Sequence, residues 1–204
     1  MKKLKCLGNV LLLMLLPLVL FGVIWVVIIF NTDVEDNDVV AKSWQSVFWI
    51  PFVFLYYKKS HLAFNLTKNS LNLKLSIISL FLGGVFVSSS LACSFMFHRH
   101  NAENVPIFCY VCAILVAPFV EELFYRKWII TYLEKHGFHD ISIMLFTSFL
   151  FYFIHWLAVI YPFWYYRFDT FFMGIIQYAL YKKTGDIRYC IMAHVSSNVI
   201  ASFY

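Results

Sequence analysis

The stretch VPIFCYVCAILVAPFVEELFYR, residues 105–126, decides the architecture. Sixteen residues, Val105 to Val120, pass without a charge, and the run then meets Glu121, Glu122 and Arg126. An apolar run of this length belongs in lipid. There no water can serve the backbone, and a helix pairs its own N–H and C=O groups. Outward from it the chain repeats the pattern, with further apolar runs at Leu11–Phe30, Ser43–Tyr57, Leu75–Phe97, Ile141–Tyr161, Phe168–Tyr181 and Ile187–Tyr204. The first follows MKKLK and is followed by no small-x-small cleavage site, so it stays as a spanning helix rather than a signal peptide. The expectation is an all-α, polytopic transmembrane bundle of about seven spans.

Composition agrees. Only 13% of the 204 residues are charged and 62% are hydrophobic, whereas a soluble chain needs about 25% charged residues to clothe its surface. Aromatic residues at 21% exclude disorder. A formal charge of +5 does not mark a nucleic-acid binder, because the cations fall in short clusters between apolar runs. They read as topology signals. Lys2, Lys3 and Lys5, then Lys58, Lys59, Lys68 and Lys74, then Arg126, Lys127 and Lys135, then Lys182, Lys183 and Arg188 all fall on one side of seven spans. Asp33, Glu35, Asp36, Asp38 and Glu103 fall on the other. The basic side belongs in the cytoplasm, which places the N-terminus inside and the C-terminus outside. The chain is one transmembrane domain, with residues 1–103 as spans without motifs and 104–204 as the motif-bearing core. Five dispersed cysteines do not make a disulfide framework, and Cys109 with Cys112, a CxxC inside an apolar run, reads as packing.

Ionisable groups inside a bilayer are costly and face a cavity or a partner. Four places break the apolar pattern: Glu121–Glu122 with Arg126, His155, His194 and Asn198. Glu122 and Arg126 are spaced i,i+4 and share a helical face. Glu121, about 100° away, has no cation in its own helix and is left to act as a base. The plainer reading is a salt bridge at a helix end. His155 sits in FLFYFIHWLAV, where packing alone would also explain it. His194 and Asn198, i,i+4 in AHVSSN, address one face and serve either a site or a contact between helices. Ser196 and Ser197 lie on other faces and are expected to bond their own helix backbone. Pro118 removes the hydrogen bond to the carbonyl of Ile114 and should kink the helix. Together, a carboxylate, two imidazoles and an amide are what peptide hydrolysis in a membrane requires: a base for water and donors for the tetrahedral oxyanion.

The sequence EExxxR (Glu121, Glu122, Arg126), FxxxH (Phe151, His155) and HxxxN (His194, Asn198), in that order, resembles the family of CAAX prenyl proteases and bacteriocin-processing enzymes, also called the CPBP or Abi family. The resemblance runs from about Val116 to Tyr204, with Gly174 in place but Tyr178 where a second small residue is expected. It implies a helical intramembrane protease with a polar cavity open to the cytoplasm. In that reading Glu121 is the general base, assisted by His155. His194 and Asn198 stabilise the oxyanion, and Glu122 and Arg126 support the site. No HExxH is present, and zinc held by His155, His194 and Glu121 stays open.

The implied function is an intramembrane endopeptidase of a plasma membrane, acting on a bacteriocin, signalling-peptide or membrane-anchored protein precursor. Lys-, Asn-, Ile- and Phe-rich usage points to a bacterium. A bacteriocin self-immunity protein and a small proton-coupled transporter are the alternatives, though a transporter should carry inverted repeats. One geometric tension follows from the predicted spans. Counted from the cytoplasmic ends, Glu121 and His194 come out at about 8–10 Å depth and His155 at about 22 Å.

Overall fold

The computed structural model describes residues 2–31, 38–60, 70–95, 106–157 and 168–201, and every regular element among them is helical. The helices are α1 (Lys2–Asn31), α2 (Asp38–Ser60), α3 (Leu73–Phe95), α4 (Ile107–Lys135), α5 (Asp140–Leu157), α6 (Phe168–Thr184) and α7 (Ile187–Ala201). Lys2–Ile24 and Ile107–Lys135 are long and apolar enough to cross a membrane. Apolar side chains also coat the outside: Leu12, Val19, Phe81, Phe149 and Phe172 are each more than half exposed, a surface suited to lipid. The acidic residues Asp33, Glu35, Asp36 and Glu103 lie outside the described residues, as does Lys68.

Contacts between helices fix their directions. The Tyr56 hydroxyl donates to the Leu13 carbonyl and Phe21 meets Phe48, so α1 and α2 are antiparallel. Ser43 donates to Cys109 O and Tyr57 to Leu123 O, so α2 and α4 are parallel. Glu122 faces His194 and Ala113 faces Asn198, so α4 opposes α7. Gly174 packs on Ser148 while Tyr178 reaches Asp140, so α5 opposes α6. Ser196 bonds the Leu80 carbonyl and Gly84 meets Ile200, which makes α3 and α7 parallel. Odd helices therefore run one way and even helices the other. This brings Lys3, Lys58, Lys59, Lys74, Lys135, Lys182 and Arg188 to one end of the bundle. Lys3 lies over the Phe138 ring there, 5.2 Å from its centroid.

The core is built on α4, whose Leu123, Phe124, Tyr125, Arg126, Trp128 and Ile129 are all at most 1% exposed. The sequence places a boundary at Val120, yet the helix runs through it to Lys135. Two wide turns, Cys112–Val116 and Leu123–Ile129, flank the regular segment Ala117–Glu122. Such π-turns put one extra residue in the helix and recur at functional sites. Residues 127–135 form the last part of α4. Cys109 and Cys112 are buried free thiols, as packing predicts.

Candidate active site

Because α4 continues past Glu121, that residue sits mid-helix, about 20 Å from Lys135 at 1.5 Å per residue. His155 lies about 22 Å from Asp140 on α5 by the same count. The tension between Glu121 and His155 disappears, since it came from ending the fourth span at Val120, while His194 lies about 10 Å from Ile187 by the same count. The two side chains meet, with His155 Nε2 3.8 Å from Glu121 Oε2. His194 Nε2 arrives from α7 at 3.9 Å from the same oxygen. Three helices thus present three proton acceptors to one point, with both ring nitrogens just beyond hydrogen-bond reach of the Glu121 oxygen.

The imidazole orientations follow from what their other nitrogens touch. His155 Nδ1 lies 2.7 Å from the Phe151 carbonyl, and His194 Nδ1 lies 2.9 Å from Glu122 Oε1. A carbonyl and a carboxylate accept, so Nδ1 carries the proton in each ring and a neutral ring turns its Nε2 lone pair toward Glu121. The Phe151 ring packs against both imidazoles, with centroids 4.5 Å from His155 and 5.6 Å from His194.

Behind His194 runs a buried chain of charge. Glu122 Oε2 is 3.3 Å from Arg126 Nε, with both side chains fully shielded from solvent. Arg126 Nη2 donates to Gln177 Oε1 at 2.5 Å, and the guanidinium lies over Phe151 at 4.7 Å. The expected i,i+4 pair is present, but it is not a salt bridge at a helix end. It sits in the centre of the bundle and holds His194. Gln177 is the member that motif reading missed. Its signal was available, since a carboxamide in the apolar run of α6 is costly unless paired. Tyr178, the departure from the family pattern, is buried and its hydroxyl donates to Asp140 Oδ1. The adjacent Gly174 lets α6 close on α5, since a Cβ there would lie 2.8 Å from Ser148 Cα.

Asn198 is one turn beyond His194 and does something the sequence does not announce. In α4 the Ala117 N–H bonds Cys112 O, one residue further back than in a regular turn. The donor next in line for Ala113 O would belong to residue 118, and Pro118 has none. Asn198 Nδ2 fills that place, 2.8 Å from Ala113 O. In the wide turn the donor that proline lacks would have served the carbonyl of Ala113 rather than that of Ile114, and α7 supplies it instead. Ser196 and Ser197 also depart from expectation, bonding Leu80 O of α3 and Met173 Sδ of α6 rather than their own helix.

Two imidazoles and a carboxylate are a chemically sound donor set for zinc. Among the described residues, however, no three such side chains are gathered as a metal-binding group. No curated protein and no solved structure matches the chain. Residues 103–200, just under half of the chain, match the family model described as Type II CAAX prenyl endopeptidase Rce1-like. That segment contains Glu121, Glu122, Arg126, His155, Gln177, His194 and Asn198. Over that segment the chain is similar to the Rce1-like CAAX prenyl endopeptidases, a family of proteases.

Proposed function

We propose that this membrane protein is an intramembrane endopeptidase in which Glu121 activates water. The observation that carries the reading is the meeting of Glu121 Oε2 with His155 Nε2 and His194 Nε2 at 3.8 and 3.9 Å. Acceptors converging on one point call for a molecule with two protons to give, and water is the nucleophile that hydrolysis needs. Glu121 takes one proton as the oxygen attacks the peptide carbonyl, then returns it to the leaving nitrogen. His155 accepts from the same water and fixes its position. A neutral His194 cannot donate to the oxyanion, as the motif alone suggests. Donation from Nε2 would require the imidazolium. Asn198, which also donates to Ala113 O, is the second group assigned to the oxyanion.

As a protease family member the protein takes a peptide or protein substrate. We infer a precursor anchored in or presented at the bilayer, processed from the basic, cytoplasmic end of the bundle in a bacterial plasma membrane. A bacteriocin or signalling-peptide precursor fits this best. A binding-only immunity role is the second reading, and it predicts that protection survives loss of the base. Glu121→Gln keeps size and polarity but removes the base. Purified in liposomes, it should insert normally and lose turnover of a fluorogenic prenylated CAAX-type peptide or of a precursor found by comparing peptides from wild-type and Glu121→Ala cells. Full turnover by Glu121→Gln, with Glu122→Gln dead, would place the base elsewhere.

A further inference from the structure

The site is rich in acceptors and short of donors. Both Nδ1 protons are committed to Phe151 O and Glu122, one Asn198 N–H is committed to Ala113 O, and the remaining N–H groups of Arg126 and Gln177 lie in the buried cluster behind His194. Yet a tetrahedral intermediate needs hydrogen-bond donors aimed at its oxyanion. Two buried hydroxyls have no partner among the described residues, those of Tyr125 and Ser148. Ser148 is closed off beneath the backbone of Gly174. Tyr125 is different. It lies i,i+4 from Glu121, just as Arg126 lies i,i+4 from Glu122, and so shares the face of α4 that carries the base. Its ring meets Phe151 edge-on at 5.3 Å, and Phe151 is the ring on which both imidazoles rest.

A buried donor left unsatisfied costs about 1–3 kcal/mol. For packing alone, phenylalanine would give the same contacts without that cost. We propose that Tyr125 is a catalytic residue whose hydroxyl donates to the oxyanion formed at the scissile carbonyl, so that its missing partner is the transition state itself. This rests on the endopeptidase reading above.

The test is Tyr125→Phe, which deletes one oxygen and keeps the ring. Wild type, Tyr125→Phe and Glu121→Gln are compared in liposomes with the fluorogenic prenylated CAAX-type peptide. Removing one oxyanion donor should lower kcat by roughly 10²- to 10³-fold and leave KM within about twofold. Thermal stability in detergent should be equal or higher, because an unpaired buried donor has gone. Wild-type kcat in Tyr125→Phe, alongside a dead Glu121→Gln, would overturn the role of Tyr125 and leave the endopeptidase reading intact. A loss of stability matching the loss of rate would also overturn it, by showing that the hydroxyl serves the fold. Turnover that Glu121→Gln does not diminish would overturn both.

Discussion

A guanidinium closed off from water needs its whole charge answered. Arg126 finds a carboxylate at 3.3 Å, a carboxamide oxygen at 2.5 Å and an aromatic face at 4.7 Å. Removing it strands Glu122 in the centre of the bundle, and breaking a buried pair from one side costs about 3–5 kcal/mol. Arg126→Ala should therefore lower the denaturation temperature in detergent and the level of protein in the membrane. Unchanged stability would mean that His194 alone suffices to hold Glu122. At this scale the sequence speaks clearly only about neighbours. Glu122 and Arg126 could be paired from their spacing because one helix carries both. The contacts of Glu122 with His194 and of Arg126 with Gln177 join residues 72 and 51 positions apart. No local pattern encodes those.

α4 shows why element ends were harder to read than element identities. Two glutamates and an arginine look like the point where a chain leaves lipid, and the sequence boundary fell there. Side chains from α6 and α7 answer those charges, so the helix passes through. Its wide first turn has a testable consequence. If Pro118 and the turn together strand Ala113 O, then Pro118→Ala restores an N–H that can reach that carbonyl. Asn198→Ala should then destabilise the Pro118→Ala protein less than wild type, where the orphaned acceptor costs about 1–3 kcal/mol. A double-mutant cycle of melting temperatures measures this, and strictly additive effects would refute it. At the other end of α4 a surface clamp joins three helices: Lys182 of α6 contacts Glu134 at 2.7 Å and Asp140 at 3.0 Å. The hydrogen bond from Lys182 holds the Asp140 carboxyl below its usual range, while bonds to Glu134 and Asp140 push the Lys182 ammonium up. A depressed carboxyl stabilises above its unfolded value of about 3.9, and the gain fades as pH falls through the folded value. A raised ammonium stabilises below about 10.4, and the gain fades as pH rises through its folded value. The melting-temperature gap between wild type and Lys182→Met should hold steady from about pH 5 to 9 and shrink in stronger acid. A gap indifferent to acid would show that Lys182 acts through its aliphatic stem.

For the whole molecule, the helical class was legible because backbone in lipid has few choices, and the apolar runs advertise the helices seen among the described residues. The meeting of the site residues was legible only as an expectation, since packing, not periodicity, sets which faces converge. Alternating helix directions gather the cations at one end, and we expect that end to face the cytoplasm. Single cysteines placed in the 31–42 and 58–74 connections of a chain without other reactive thiols should label from opposite faces of sealed vesicles. Labelling from the same face would overturn the arrangement. The contact between α3 and α7 carries a further consequence. A Cβ at Gly83 would lie 2.0 Å from the carbonyl oxygen of Ala193, so the two backbones touch beside His194, as small residues permit. One of these helices precedes residue 103 and the other follows it. The family match therefore stops short of a wall that seats one of its own histidines. Expressed as two separate polypeptides broken near residue 100, the fragments would have this seam to rejoin along in the bilayer. Activity would then return only on co-expression, and the second fragment, for all its motifs, would be inert alone.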